Sequence, residues 1–403
     1  MTFEDLHLDP ELISALDHIG FKKPTPIQEA AIPLMLERRD LLAGAATGTG
    51  KTAAFVLPAL QFLLDEPKPS KHPRILILSP TRELAFQTHK VIKQLGHYCD
   101  VPSMIVTGGF NYSEQEQKMN APCDILTATP GRLSKLMAEE AVNLSYVEMV
   151  IIDEADRMLD MGQGPTVLGL LEAIPGDFQA GLFSATLSGT GVRKFAEDIL
   201  DEPDEVQISP PNQQSEQVQQ YVYLANDKAH KQQLLLNLIQ DGSCHSAVVF
   251  CNKKEKAVEV SEWLREQEMQ AEVLHGDFIQ AVRLEKMNKF KHNKVKVLVA
   301  TDVAARGLDI THVTHVINYD VPLRGDIYIH RIGRTGRGHN MGIAATLVER
   351  HEIPHLQRIE YHLGQKLKPT KIAGLEPNFT LKEAVKKQAK SAKKAKKKKK
   401  AKK

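Results

Sequence analysis

Short apolar runs rich in β-branched residues alternate along this chain with longer amphipathic stretches. This alternation is typical of βα units, in which helical crossovers connect parallel strands, so we predict an α/β fold built on parallel sheets. The strands are predicted at residues 74–79, 124–128, 147–152, 180–183, 247–251, 295–300 and 315–318.

The length of the chain and one polar stretch predict two domains. A chain of 403 residues can fill more than one ordinary hydrophobic core. The sequence turns polar between residues 207 and 220, as linkers do. We therefore predict a first α/β domain at 1–207, a linker at 208–218, a second α/β domain at 219–368 and a tail at 369–403.

The formal net charge of +2 conceals a strongly basic segment. Residues 386–403 contain 12 lysines and no acidic residue, which leaves the preceding 385 residues with a net charge of −10. Blocks of like charge are disordered, repel themselves and often bind nucleic acid. A tail that only aids solubility is the alternative.

No segment of the sequence indicates export or a membrane. The amino terminus is acidic, and the longest apolar run, at 53–64, is too short to cross a bilayer and is interrupted by Pro58 and Gln61. The four cysteines show no Cys-x-x-Cys spacing, and we predict that they are buried, reduced thiols. We expect a cytoplasmic protein.

Polar, glycine-rich or charged clusters follow the carboxyl ends of five predicted strands. They begin at Pro80, Thr129, Asp153, Ser184 and Thr301. In open α/β sheets this edge is where ligands bind, and chance is a poor explanation for the whole series. We therefore expect the functional site at this edge.

The stretch Ala45-Ala-Thr-Gly-Thr-Gly-Lys-Thr52 has the pattern of a phosphate-binding loop, except that the general pattern has glycine in place of Ala45. In such a loop the backbone N–H groups surround phosphates, and the following helix adds a favourable dipole. We predict that Lys51 reaches the terminal phosphates and that Thr52 binds Mg²⁺. The remaining nucleotide contacts are assigned to Thr47, Gly48, Thr49 and Gly50. A flexible loop before a helix is the alternative.

A carboxylate pair follows the predicted strand at 147–152. Asp153 is expected to hold Mg²⁺, through water, and Glu154 to orient or deprotonate an attacking water. An exposed acidic turn is the alternative, which the preceding apolar strand disfavours.

These motifs together resemble those of the DEAD-box RNA helicases. Asp153-Glu-Ala-Asp156 is the motif that gives that family its name, and the stretch at 20–28 resembles the family's adenine-recognition motif. The resemblance implies that Phe21 stacks on adenine and that Gln28 hydrogen-bonds the edge of the base. A carboxamide offers both the donor and the acceptor that adenine requires.

Two further motifs of the family have counterparts in the second half of the chain. His330-Arg-Ile-Gly-Arg-Thr-Gly-Arg337 resembles the arginine-finger motif, and residues 306–309 resemble the ribose and coupling motif. The resemblance implies that Arg334 and Arg337 bind the γ-phosphate, an effect worth about a thousandfold or more in rate, and that Asp309 binds the ribose. The residues implied to link the nucleotide cleft to the rest of the machinery are His330, Ser184 and Thr186.

For RNA, the resemblance nominates groups that suit phosphates and 2′-hydroxyls rather than base edges. They are Arg82, Gly109, Thr129, Gly131, Arg132, Gly276, Arg283 and Thr301. Binding that does not depend on RNA sequence is implied.

The resemblance covers residues 3 to about 348 and implies two tandem RecA-like domains of the P-loop NTPase class, helicase superfamily 2, with a disordered basic tail. The implied activity is RNA-stimulated hydrolysis of ATP with Mg²⁺, in which domain closure completes the site and melts short duplexes locally. Residues 73–78 and 157–161 and the tail are most similar to the bacterial SrmB type, which implies assembly of the large ribosomal subunit. The implied partners are RNA and assembly proteins, and the core is expected to be monomeric. One departure is Gln163, where the family usually has an apolar residue.

Two rival functions remain open. One is a DNA helicase or another remodelling ATPase, which ATPase assays with single-stranded RNA and DNA would distinguish. The other is a non-catalytic, ATP-dependent RNA clamp or assembly scaffold. The presence of Lys51, Glu154 and both arginines disfavours that second reading.

Overall fold

A computed structural model describes residues 1–46, 48–68, 71–109, 121–187, 190–208, 218–305, 313–336 and 341–385. The chain divides into two compact units, Met1–Pro211 and Asn212–Lys403. Each unit contains one seven-stranded sheet in which every described strand pairing is parallel. The prediction of two α/β domains with parallel sheets is confirmed.

The first unit has the strand order β3-β4-β2-β5-β6-β1-β7. Its strands are β1 (Leu41–Ala45), β2 (Ile75–Leu78), β3 (Ser103–Val106), β4 (Ile125–Ala128), β5 (Met149–Ile152), β6 (Gln179–Ser184) and β7 (Asp204–Ile208). Its helices are α1 (Pro10–His18), α2 (Pro26–Leu36), α3 (Lys51–Asp65), α4 (Arg82–Leu95), α5 (Pro130–Ala138), α6 (Ala155–Asp160), α7 (Gly164–Leu171) and α8 (Thr190–Glu197).

Helices cover both faces of this sheet, so successive residues of one strand enter different cores. In β5, Met149 and Ile151 pack in one core with Phe55 of α3, whereas Val150 and Ile152 pack in the core on the other face. Strands buried on both faces are apolar at every position, which is why the sequence shows continuous runs instead of alternation.

The second unit repeats this architecture with the strand order β10-β11-β9-β12-β13-β8-β14. Its strands are β8 (Val218–Ala225), β9 (Ala247–Cys251), β10 (Ala271–Leu274), β11 (Val297–Thr301), β12 (His315–Asn318), β13 (Gly342–Glu349) and β14 (Pro369–Thr370). Its helices are α9 (Lys228–Gln240), α10 (Lys254–Glu266), α11 (Gln280–Lys291), α12 (Asp302–Ala305), α13 (Gly325–Ile332) and α14 (Ile353–Leu363). Across the described ranges, no helix combines the length and the apolar character needed to cross a membrane.

Residues 369–385, which the sequence assigned to the tail, pack against the second unit. Strand β14 pairs with β8, and Phe379 is buried beneath Arg350, whose guanidinium carbon lies 4.2 Å from the ring centroid. The Asn378 backbone N–H donates to Asn226 Oδ1 at 2.8 Å. The folded second unit therefore extends to residue 385, past the expected boundary at 368. The lysine-rich residues 386–403 and residues 209–217 of the expected linker lie outside the described residues.

Candidate functional site

The phosphate-binding loop joins β1 to α3 at the carboxyl edge of the first sheet. Gly50 precedes α3 with a φ of +96°, a left-handed conformation that favours glycine. A Cβ atom at this position would lie 2.5 Å from Nε2 of Gln28. Thr49 Oγ1 donates to the Ala46 carbonyl at 2.8 Å, which closes the loop on itself. Thr47, also predicted to bind the nucleotide, lies outside the described residues.

Lys51 is the first residue of α3 and is only 7% exposed. Its ammonium group donates to the carbonyl oxygen of Ala45 and, at 3.4 Å, to that of Ser184. Burial lowers the pKa of Lys51, and the carboxylates of Glu154 and Asp153 oppose that effect. The ammonium group is therefore held at the loop by neutral acceptors that an anionic phosphate oxygen can replace, because charge-assisted hydrogen bonds are stronger.

Ser184 and Thr186 form a closed turn beside Lys51. Ser184 Oγ donates to the Thr186 carbonyl at 2.8 Å and accepts from the Thr186 N–H at 3.3 Å. The Ser184 carbonyl at the end of β6 is the same one that accepts from Lys51. This contact joins the turn to the nucleotide loop, and the coupling role of both residues stays a prediction.

Asp153 and Glu154 follow β5 at the same edge. They are 3% and 8% exposed, so the alternative of an exposed acidic turn is wrong. Burial raises the pKa of Asp153 to about 7, the charge of Glu154 adds to that effect, and Lys51 opposes it. Glu154 has a φ of +52°, which is uncommon for a residue other than glycine, and its carboxylate pairs with Arg157. A buried carboxylate in a strained backbone conformation is typical of a functional site.

The oxygen atoms of Thr52 and Asp153 suit Mg²⁺, which prefers hard oxygen ligands and usually keeps water and substrate phosphates as further ligands. A cation would also stabilise the two neighbouring buried carboxylates, whose mutual repulsion contributes to the raised pKa of Asp153. In the described part of the chain, no group of three or more His, Cys, Asp and Glu side chains could hold a metal ion. The residues present therefore fit a magnesium ion that nucleotide phosphates help to hold.

The residues predicted to recognise adenine differ in exposure. Phe21 is 45% exposed, as a stacking platform requires, whereas Gln28 is buried. The Gln28 amide connects two segments, because Oε1 accepts from the Thr25 N–H at 2.9 Å and Nε2 donates to the Gly50 carbonyl at 3.0 Å. Each of these atoms can form a second hydrogen bond, so adenine recognition by Gln28 stays a prediction.

The predicted RNA contacts of the first unit lie at the ends of three adjacent strands, β3, β4 and β2. Arg82 begins α4, and its guanidinium lies so close to Gly109 that a side chain at 109 would clash with it. Thr129 follows β4, and its N–H donates to the last carbonyl of β3 at 3.0 Å. Gly131 and Arg132 lie in the first turn of α5, where Gly131 is exposed. The fold thus brings these five residues to one edge.

The predicted RNA contacts of the second unit follow β10 and β11. Gly276 is exposed in the turn after β10, and Thr301 ends β11. Arg283 in α11 is buried, and its Nη2 donates to the Ala304 carbonyl at 3.4 Å. Arg283 therefore connects α11 to the segment that follows Thr301.

The predicted phosphate-binding arginines are only partly described. Arg334 follows α13, is buried and donates from Nε to the His330 carbonyl at 3.4 Å. Arg337 and the predicted ribose ligand Asp309 lie outside the described residues. The roles of these four residues stay predictions.

Arg331, which the sequence analysis missed, is the centre of a buried polar network in the second unit. The residue is 1% exposed, and its guanidinium donates to both carboxylate oxygens of Asp302, at 2.6 and 2.7 Å. It also donates to Asn318 Oδ1 at 3.2 Å, Asn252 Oδ1 at 2.7 Å and the Asp320 carbonyl at 2.8 Å. Arg331 thus fixes the strand ends of β9, β11 and β12 against α13. In the sequence, the only indication that Arg331 is important is its position next to His330.

Two family models match the chain. Residues 25–195 match the model described as DEAD/DEAH box helicase, and residues 230–339 match the helicase conserved C-terminal domain.

Curated proteins and solved structures are similar over most of the chain. The ATP-dependent RNA helicase SrmB of Escherichia coli is 43% identical over 377 residues, which cover 93% of this chain and 85% of that protein. The ATP-dependent RNA helicase RhlB of Pseudomonas syringae is 39% identical over 372 residues, covering 91% and 93%. The structure of Dbp5 from S. cerevisiae bound to RNA and ADP BeF3 is 31% identical and matches with a TM-score of 0.82, covering 92% of this chain and 95% of that one.

Proposed function

This chain belongs to the DEAD/DEAH box helicase family and is an ATP-dependent RNA helicase, and from that premise we propose that it separates short RNA duplexes locally, without long translocation. The observation that carries the ATP-hydrolysing part of the proposal is the buried contact of Lys51 with the phosphate loop beside Asp153 and Glu154. Electrostatic stabilisation of a transferring phosphoryl group is strongest where such groups are desolvated and already in place.

In the proposed reaction the first unit binds ATP and prepares the attacking water. Lys51 exchanges its loop carbonyls for phosphate oxygens, and Thr52 and Asp153 would hold Mg²⁺, which would neutralise phosphate charge. Glu154 orients or deprotonates the water. Its pairing with Arg157 limits the positions that its carboxylate can take.

The second unit is proposed to supply the remaining nucleotide contacts. Arg334 and Arg337 would stabilise charge on the γ-phosphate, Asp309 would bind the ribose, and His330 would link nucleotide to RNA. The support for these roles is the family's motif pattern. If these contacts form only when RNA is bound, hydrolysis depends on RNA, and ATP acts as a switch as well as a source of energy.

RNA is proposed to bind through its backbone. The eight nominated residues offer backbone N–H groups, hydroxyls and arginines, which suit phosphates and 2′-hydroxyls. Such contacts do not read base sequence. We propose that they hold one strand in a bent form that is incompatible with a duplex, and that hydrolysis then resets the protein.

The proposed cellular setting is cytoplasmic assembly of the large ribosomal subunit. Its support is the similarity to SrmB-type proteins and the lysine-rich segment 386–403, whose charge suits a highly structured RNA. Assembly proteins are the proposed further partners, and the core is proposed to act as a monomer.

The test of the hydrolytic mechanism is Glu154→Gln, with Glu172→Gln as the control because Glu172 is an exposed residue at the end of α7. The amide keeps the shape of the side chain but cannot accept a proton. We expect kcat to fall by about a hundredfold or more while ATP and RNA stay bound, and Glu172→Gln to match the wild type. Unchanged turnover in Glu154→Gln would refute the assigned role.

The substrate assignment is tested by comparing ATPase rates with single-stranded RNA and single-stranded DNA. We expect RNA to stimulate and DNA not to; equal stimulation would refute the RNA assignment. Strand separation is then measured on RNA duplexes of increasing length, where yield should fall steeply with length. ATP hydrolysis and RNA binding without any strand separation would identify a clamp instead.

A further inference from the structure

Gln163 is the third residue after the end of α6, the helix that follows the Asp153–Glu154 turn. Helix α6 ends in a Schellman motif, in which the Gly162 N–H donates to Leu159 O at 3.0 Å and the Gln163 N–H donates to Met158 O at 2.9 Å. The φ of +70° at Gly162 is the left-handed conformation that this motif requires. The residue after the glycine usually makes an apolar contact with the last helical turn, and glutamine is a poor choice for that contact.

The side chain of Gln163 instead spans two loops. Its Nε2 donates to the Pro80 carbonyl at 3.1 Å. The amide must present its NH₂ group to this carbonyl, because Oε1 would face another acceptor. Pro80 lies two residues after the end of β2, and β2 is the direct neighbour of β5 in the sheet. One side-chain hydrogen bond thus joins the loop after β2 to the segment after α6, the helix that follows β5.

Both ends of this connection are firmly attached. On one side, Glu154 pairs with the buried Arg157, and Met158 is fully buried in the core, so α6 is held as one short rigid element. On the other side, Pro80 precedes Thr81, whose hydroxyl caps α4 by accepting from the Leu84 N–H at 3.3 Å.

The capped end of α4 carries a predicted RNA contact. Arg82 follows the capping threonine, and its guanidinium lies against Gly109. A continuous series of contacts therefore runs from Glu154 through α6 and Gln163 to Arg82.

We propose that Gln163 is a positioning residue that couples the nucleotide-dependent position of the Asp153–Glu154 turn to the position of Arg82 against RNA. This inference rests on the proposed function, since it assumes ATP at the first turn and RNA at the second. A shift of Glu154 on nucleotide binding moves α6, and the hydrogen bond carries that shift to Pro80. The coupling is reciprocal, so bound RNA favours the nucleotide-bound position of Glu154 to the same extent.

The test compares RNA affinity in two nucleotide states for the full chain and its Gln163→Met variant. Methionine matches glutamine in length and volume but has no donor. Fluorescence anisotropy of a labelled single-stranded RNA is measured with Mg²⁺ and either ADP or AMP-PNP. We expect the RNA affinity with AMP-PNP divided by the RNA affinity with ADP to fall about fivefold, which corresponds to the free energy of one typical hydrogen bond. The RNA affinity with ADP should change less than about twofold.

Gln179→Met is the matched control. The Gln179 amide also lies in the first unit and donates to the backbone carbonyls of Met35 and Arg39, each at 2.9 Å, but it is at the start of β6, far along the strand from the site. This variant loses two hydrogen bonds and should still keep the wild-type ratio. An equal fall in both variants would show a general loss of stability and would overturn the inference, as would a wild-type ratio in Gln163→Met.

Gln163→Glu provides a second variant, which replaces the donor with a carboxylate that repels the Pro80 carbonyl. The AMP-PNP to ADP affinity ratio of Gln163→Glu should fall at least as far as that of Gln163→Met, and a ratio equal to that of the wild type would count against the inference. The proposed function fails separately: in that case the wild-type protein itself would bind RNA equally well with ADP and with AMP-PNP.

Discussion

Replacement of Arg331 by methionine should destabilise the second unit strongly. The change removes five hydrogen bonds from a residue that is 1% exposed, so each of the acceptors loses the Arg331 guanidinium as a donor. Asp302 is 20% exposed, so water can partly solvate its carboxylate again, but Asn318 is fully buried. Loss of one partner from a buried ion pair typically costs about 3–5 kcal/mol, and the partial exposure of Asp302 places the expected loss at about 3–4 kcal/mol.

The unfolding of the second unit can be followed through Trp263, which is the one tryptophan of the chain and lies in α10 of that unit. Its fluorescence during urea unfolding reports on that unit. With an m-value of about 2 kcal/mol/M, the loss corresponds to a fall in the urea midpoint of about 1.5–2 M. The control is Lys254→Met, which breaks the exposed Lys254–Asp277 pair of the same unit and should leave the urea midpoint close to that of the wild type.

Two outcomes decide the reasoning about Arg331. In a double-mutant cycle, Arg331→Met combined with Asp302→Asn should be less destabilising than the sum of the single changes, because each removes the same pair. If Arg331→Met and Lys254→Met gave the same urea midpoint, burial of the network would contribute nothing and the argument would be refuted.

Three further predictions concern the loop, the pH dependence and the lysine-rich segment. Gly50→Ala should weaken ATP binding by about tenfold or more, because the φ of Gly50 is +96° and the added Cβ would lie 2.5 Å from the Gln28 amide. Titration with a fluorescent nucleotide measures the affinity, and the control Gly169→Ala, at an open helical site, should bind ATP as the wild type does. Burial, and to a lesser extent the charge of Lys93, lowers the pKa of His89 from 6.5 to about 4. Between these pH values the unfolded chain binds a proton that the folded protein does not, so the free energy of unfolding decreases as the pH falls. His89→Gln should therefore lose about 1 kcal/mol less stability than the wild type between pH 7 and pH 5, after allowance for the partial exposure of His89, in urea unfolding at both pH values. Deletion of residues 386–403 should weaken RNA binding and flatten the dependence of log Kd on log salt concentration, whereas an identical slope would show that these lysines do not contact RNA.

The strands that could be predicted are β2, β4, β5, β6, β9, β11 and β12, because burial on both faces leaves a continuous apolar run. Strands β8 and β13 also lie inside the second sheet, yet they were not among the predicted strands. The same rule fails for β1 (Leu41–Ala45), whose glycine and alanines have little β-branched character, and for β3 (Ser103–Val106), an edge strand that is partly exposed. It fails again for residues 369–385, whose apolar members, among them Ile372, Leu375 and Phe379, occur only singly or in pairs. Such segments fold because an existing surface accepts them, and that surface is not visible in the local sequence.

Candidate site residues were predictable where one motif contains both the chemistry and its local geometry, as in the loop before Lys51. Contacts between motifs were not. The hydrogen bond from Gln28 to the Gly50 carbonyl joins residues 22 positions apart, and the hydrogen bond from Arg331 to Asn252 joins residues 79 positions apart. Helix packing brings the first pair together and the order of strands in the sheet brings the second, and sequence spacing encodes neither.

The packing of residues 369–385 has a practical consequence for anyone who shortens this protein. A chain cut at residue 368 would lose β14 and leave the outer backbone of β8 without a neighbour, while Ile372, Leu375 and Phe379 would no longer cover the apolar surface beneath them. An uncovered strand edge beside bare apolar surface is a template for self-association. An isolated second unit that ends at 368 should therefore form aggregates, and one that ends at 385 should stay dispersed.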